Sequence, residues 1–126
     1  KEFQCKHEIE KEKFINLLNN QIIEKNLKQI RKESVTQFIE IVKDIDKDKL
    51  IKLFNFVSGT SCCPSNVEVG FNESNILFVS HTCSNGLDFP DSNSFYEEYY
   101  EASKENIILK KSLEQALDVS LAAKNI

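Results

Sequence analysis

Apolar residues change their spacing twice along this chain, and that change limits the folds open to it. Phe38, Ile41, Val42 and Ile45 recur at i, i+3, i+4 and i+7, and Leu50, Leu53, Phe54 and Val57 repeat the pattern. Each set is the one-sided stripe of an amphipathic helix. Val67, Val69 and Phe71 then alternate with polar neighbours, the period-two pattern of a half-buried strand. Ile76-Leu77-Phe78-Val79 is an unbroken apolar run that reads as a fully buried strand. Leu87 and Phe89 form a third short strand, stopped by Pro90. Helical spacing returns with Leu109, Leu113, Ala116, Leu117 and Leu121. An α+β fold, with a helix pair and a long C-terminal helix packed on a small mixed or antiparallel sheet, accommodates all three stretches.

Local signals divide the helices. Ser34 with Gln37 has the form of a capping box opening the first of the pair. Asp46 is placed to cap the second, and Ser58-Gly59 ends it with a residue that tolerates positive φ. The short connection predicts an antiparallel pair sharing one core. Ser94 with Glu97 repeats the capping box, and Phe95, Tyr96, Tyr99 and Tyr100 give the next helix an aromatic face that belongs to a core. The spacing leaves open whether residues 94–121 form one helix or two broken near Asn106. Residues 1–33 are rich in Lys and Glu, with a helical stripe at Phe14, Leu17, Leu18 and Ile22. They read as a helical connector carrying no chemistry, with residues 34–126 as the domain proper. His7 lies among charged residues and is expected to be exposed.

At 126 residues, the chain suffices for one domain. Its 40% hydrophobic and 29% charged content is that of a globular protein. No apolar run approaches the ~20 residues of a membrane helix. The chain does not begin with Met, and we expect it to be a piece cut from something longer. Net charge is -4, but its distribution says more. No Lys or Arg falls between Lys52 and Lys104, a stretch that carries Glu68, Glu73, Asp88, Asp91, Glu97, Glu98 and Glu101. Two readings stay open: a solvated acidic face, or a surface that attracts a basic partner. Such a field repels phosphates, so neither nucleic acid nor membrane is an expected partner.

The chemistry concentrates between Ser80 and Pro90. His81 stands two residues before Cys83, and an Asn-Gly turn follows at Asn85-Gly86. Cys83 thus lies where a buried strand surfaces into a loop, a place suited to displaying a reactive group. If residues 79–83 leave the sheet extended, His81 and Cys83 point to the same side. No Lys or Arg nearby in sequence lowers the thiol pKa, which suits a thiol receiving an acyl group from an activated thioester better than a hydrolase. The residues alone leave equal room for a buried structural cysteine. Cys5, the adjacent Cys62 and Cys63, and Cys83 match no disulfide framework or CxxC knuckle, and reduced thiols are the simpler expectation. His81, Cys83, Cys62 and Cys63 make four ligands on paper. An adjacent pair seldom converges on one ion, so no metal is expected.

Three stretches, in order, resemble the C-lobe of a HECT-type ubiquitin ligase. Leu53-Phe54-Asn55-Phe56-Val57-Ser58-Gly59-Thr60-Ser61, followed by Pro64, is similar to the family's LLQFVTGTSxxP. His81-Thr82-Cys83-Ser84-Asn85-Gly86-Leu87-Asp88-Phe89-Pro90 resembles HTCxNxLDLP. The segment from Phe95-Tyr96 to Leu117 looks like the family's closing helix. The likeness covers about residues 34–121, and its second motif is the specific one. Ser84 stands where the family often has Phe, and Phe89 replaces the usual Leu. Pro64 to Ser80 is shorter than is typical, and no Phe follows Phe95 near the end.

The resemblance implies a catalytic lobe in which Cys83 accepts ubiquitin as a thioester from a conjugating enzyme and transfers it to a substrate lysine. It implies no cofactor. His81 and Thr82 match the residues that precede the nucleophile, and Asn85, Leu87, Asp88 and Pro90 match the segment that shapes its loop. His81 and Thr82 are expected to orient. Asp88 either helps the incoming lysine by charge or by accepting its proton, or is a turn residue bonded to backbone N–H groups. Residues 1–33 correspond to the end of the N-lobe and the interlobe hinge, and the N-lobe that recruits the conjugating enzyme is absent. The expected partners are ubiquitin, that enzyme and a protein substrate, in the cytoplasm or nucleus. The competing reading is an inert lobe that binds ubiquitin or another protein, with a structural Cys83.

Overall fold

The computed structural model describes residues 6–73, 77–91 and 106–124. Helix α1 (His7–Lys25) has Glu8 and Glu10 in its first turn and Lys25 in its last, charges that complement the helix dipole. Asn26, in the left-handed conformation with φ 49°, closes it. Helix α2 (Gln29–Asp44) starts five residues before Ser34, so the expected capping box is not one. Ser34 is buried within the helix, and its hydroxyl donates to the Ile30 carbonyl at 3.2 Å. A short polar side chain satisfied by the preceding turn needs no helix end. Helix α2 runs unbroken across residues 33 and 34.

Helix α3 (Lys47–Ser58) opens as expected. Asp46 Oδ1 accepts from the Lys49 N–H at 2.9 Å, and Gly59, with φ 79°, closes the helix. Only Ile45 and Asp46 separate α2 from α3. Lys11 reaches over from α1 and donates to the carbonyls of Lys43, at 3.2 Å, and Ile45, at 2.9 Å, which the end of α2 would otherwise leave to water. Helix α4 is Asn106–Lys124. The capping box at Ser94 and the aromatic face from Phe95 to Tyr100 lie outside the described residues.

Three strands make a mixed sheet of order β1-β3-β2. Strand β1 (Glu68–Asn72) pairs in parallel with β3 (Gly86–Pro90), and β2 (Val79–His81) pairs antiparallel with β3. The expected second strand, Ile76–Val79, therefore sits too early. Phe78 lies before β2 because its N–H is taken by Ser120 Oγ of α4 at 2.9 Å, a buried bond rather than a ladder bond. Ser120 Oγ in turn donates to the Ala116 carbonyl at 2.6 Å. On the opposite edge, Gln21 Oε1 of α1 accepts from the Val69 N–H at 3.0 Å. A side chain thus covers a donor that an exposed strand edge would leave unpaired.

Alternation along the central strand divides its two faces. Leu87 and Phe89 point inward and have no exposed surface. The rings of Phe38 from α2, Phe78 and Phe89 meet at centroid distances of 5.0 to 5.2 Å. Val35, Leu50, Leu53, Phe54, Leu113 and Leu117 complete the same core, and α1 contributes Phe14 and Leu18. Each such side chain gains about 1.5–3 kcal/mol from burial. Gly86 and Asp88 occupy the other face of β3. Among the described residues, no helix is long and apolar enough to cross a membrane.

Candidate active site

The strand ladder stops at the His81–Gly86 pair, and Thr82, Cys83, Ser84 and Asn85 form the connection. Ser84 closes it by donating its N–H to the His81 carbonyl at 3.0 Å and its hydroxyl to the same oxygen at 3.3 Å. Asn85 takes the left-handed conformation, φ 54°, which short amide side chains tolerate better than most. Its amide donates to Asn66 Oδ1 at 2.9 Å, and its carbonyl accepts from the Glu68 N–H at 3.0 Å. The turn is therefore tied at its back to the entry of β1. Thr82 and Cys83 project at its exposed tip, and the Cys83 thiol is free.

This geometry departs from the extended path expected for residues 79–83. The chain turns directly after His81, so period-two alternation does not carry on to Cys83, and His81 finds a different partner. Its Nε2 lies 3.0 Å from Asp88 Oδ2. His81 pairs with Gly86, two residues from Asp88 on the same face, so the contact is a diagonal cross-strand pair. A carboxylate only accepts, so the ring donates from Nε2 to Asp88. Nδ1 makes no hydrogen bond among the described residues. The Asn-Gly dipeptide also works differently from a two-residue hairpin turn. Only Asn85 has positive φ, whereas Gly86 makes a close approach: a Cβ there would stand 3.2 Å from the His81 Cβ.

The remaining cysteines differ from expectation at one position. Cys62 is disulfide-bonded. Cys63 is free and half-buried, with its Sγ 3.3 Å from the Pro64 carbonyl. Burial, then the Glu10 carboxylate, pushes its pKa up to about 11, against a smaller opposing pull from Lys13. The Cys63 N–H donates to Glu10 Oε1 at 2.8 Å. Among the described residues, no three His, Cys, Asp or Glu side chains converge as metal ligands would. His7 is half-buried rather than exposed.

Within the acidic middle stretch, Glu68, Glu73 and Asp91 are answered from within the chain. Glu68 pairs with Lys25 at the end of α1. Arg31 of α2 holds Asp91 through Nε at 3.1 Å and Nη2 at 2.5 Å, reaches Glu73 at 3.2 Å, and lies 4.8 Å over the Phe71 ring. Asp91 is 8% exposed, and a carboxylate that deep requires such a partner. Neither Arg31 nor Asn66 stood out in the sequence. Gly70 also did not, although an isolated glycine inside an alternating strand is a recognised sign of close approach.

Comparison with curated proteins returns no match. Residues 6–120 match the model of the HECT-domain (ubiquitin-transferase) family, nearly the full length of the sequence. The three motifs, the mixed sheet and the exposed cysteine turn accord with that match, and the chain belongs to the HECT-domain family.

Proposed function

We propose that Cys83 is the acyl carrier of a ubiquitin ligase. Its thiol takes ubiquitin as a thioester from a charged conjugating enzyme and passes it to a lysine of a protein substrate. The observation that carries this reading is a free, exposed Cys83 at the tip of a tied turn in a chain of the HECT family. In the first step the Cys83 thiolate attacks the carbonyl carbon at the ubiquitin C-terminus. A C–S bond forms to Cys83, the C–S bond to the conjugating enzyme breaks, and the departing thiolate takes up a proton. One thioester replaces another, so the exchange is nearly isoenergetic and asks for little base.

In the second step the lysine Nζ attacks the same carbonyl. The C–N bond forms, the C–S bond breaks, Cys83 leaves as thiolate, and the amine gives up a proton. We assign that proton to Nδ1 of His81, with Asp88 holding the Nε2–H side of the ring. Thr82 and Asn85 set the shape of the turn. The conjugating enzyme docks through the family's N-lobe, with residues 1–33 as the approach from it, so residues 1–126 alone charge poorly.

The test is ubiquitin loading in the full-length ligase. The wild type is expected to form an adduct that thiol reductant releases. Cys83→Ser is expected to form one that resists reductant, and Cys83→Ala none. A reducible adduct persisting in Cys83→Ala would reduce this turn to a structural feature of an inert, ubiquitin-holding lobe.

A further inference from the structure

Gly70 lies beside Asp88 in the β1–β3 register. A Cβ built on Gly70 would stand 2.3 Å from Asp88 Oδ1 and 3.3 Å from its Cγ, and the three heavy atoms nearest to it all belong to that carboxyl group. The φ of Gly70 lies outside the left-handed range, so the backbone makes no demand for glycine there. A glycine inside a strand weakens it, through lost side-chain packing and greater freedom in the unfolded chain. The vacancy has one use in this structure: it is the seat of the Asp88 carboxylate, and from that seat Oδ2 reaches His81 Nε2 at 3.0 Å.

We propose that Gly70 is a positioning residue for ubiquitin transfer. Its missing side chain lets Asp88 lie across β1 and hold the His81 imidazole by Nε2, with Nδ1 left out of that bond, beside the turn that carries Cys83. The inference rests on the roles given above to Cys83 and His81. It is more specific than a packing argument, because the group that a methyl at residue 70 would strike is the free end of a flexible side chain. Asp88 swings aside at small cost to the fold, and what is lost is its bond to His81. Gly86, the ladder partner of His81, has the matching role on β3, where it leaves room for the His81 Cβ at 3.2 Å.

Two measurements on Gly70→Ala test this. The first is the imidazole nitrogen spectrum of His81 in this chain. The wild type is expected to show a hydrogen-bonded Nε2–H, and both Gly70→Ala and Asp88→Ala are expected to lose it while melting cooperatively near the wild type. The second is single-turnover discharge of ubiquitin from the loaded full-length ligase to lysine. Gly70→Ala is expected to slow it roughly 10- to 100-fold, the scale of a misplaced catalytic group. Added to Asp88→Ala, which empties the seat, Gly70→Ala is expected to slow it no further. An unchanged His81 spectrum in Gly70→Ala, or losses that multiply in the double variant, would overturn the proposal. Should Gly70→Ala alone unfold, the double variant still decides, since its methyl group has room. Should Cys83 not be the carrier, the discharge assay is silent while the imidazole spectrum still responds, so the two ideas fail separately.

Discussion

Cys63 and Cys83 are both free thiols on connecting segments, and their surroundings set them apart. Cys63 follows α3 in a loop pressed against α1. Its backbone is held by Glu10, its Sγ is directed at the Pro64 carbonyl, and burial with the Glu10 charge pushes its pKa up to about 11. Cys83 stands in the open at the tip of a turn that is fastened at its base by Asn85 and Ser84. One loop hides its sulfur and raises the energy of the thiolate. The other directs its hydrogen bonds to its own base and to Asn66, and leaves the sulfur bare. Environment, with residue type equal, is what sets the two thiols apart in this fold.

Alkylation rates under non-reducing conditions give the widest test. A rise from the ordinary 9.0 to about 11 lowers the thiolate fraction of Cys63 at neutral pH by a factor of about 100, before any steric shielding is counted. Cys83, exposed where Cys63 is half-buried, is therefore expected to label with iodoacetamide faster than Cys63, read by mass spectrometry of the digested chain. The Cys63 rate should climb tenfold per pH unit until about 11. The same shift carries a stability sign. The folded state favours the protonated Cys63 thiol, so its contribution is complete below pH 9 and is lost as pH rises through 11. Comparable labelling rates at neutral pH would erase the distinction between the two loops.

Removing the Glu10 charge should narrow the gap without closing it. Gln at position 10 can still accept the Cys63 N–H, so the loop keeps its anchor. Only the smaller of the two causes that raise the thiol is removed. Glu10→Gln is expected to speed Cys63 alkylation severalfold and leave Cys83 unchanged. Cys63 reaching the Cys83 rate would mean that charge, not burial, keeps it silent.

The sequence made one loop easier to read than the other. Alternation through Val67, Val69 and Phe71, and the inward pair Leu87 and Phe89, were visible as period two, and they sufficed to bring Cys83 to the end of a buried strand. The α3 cap at Asp46 and the end at Gly59 were equally plain, because each depends on one residue acting on its own neighbours. Three features were out of reach for a common reason. The His81–Asp88 contact depends on hairpin register, which follows from where the ladder stops and not from either residue. The Arg31–Asp91 pair spans 60 positions, and with the Lys25–Glu68 pair it gives part of the acidic stretch partners in α2 and α1. Ser34 looked like a cap because the pattern ignores a helix already under way from Gln29.

The smallest test uses the left-handed residue in each loop. Gly59 has φ 79° with nothing within 4 Å of a built Cβ, so Gly59→Ala meets no clash and pays only for the backbone conformation. Asn85 has φ 54° and adds a side-chain bond to Asn66 at 2.9 Å. Each substitution to Ala is expected to lower stability by about 1 kcal/mol, measured by urea denaturation. Asn85→Ala should be the costlier of the two, because its exposed amide bond is lost as well. Their local effects should then diverge. Gly59→Ala loosens the segment leading to Cys63, and so should raise Cys63 alkylation. Asn85→Ala removes the side-chain tie to Asn66 and keeps the backbone bond to Glu68, and should leave Cys83 alkylation nearly as fast as before, since that sulfur is already exposed. It should nevertheless slow ubiquitin discharge if the tie to Asn66 is what holds the turn. Equal discharge in Asn85→Ala and the wild type would show that the turn keeps its shape through the Ser84–His81 bonds and the backbone bond to Glu68, without the tie to Asn66.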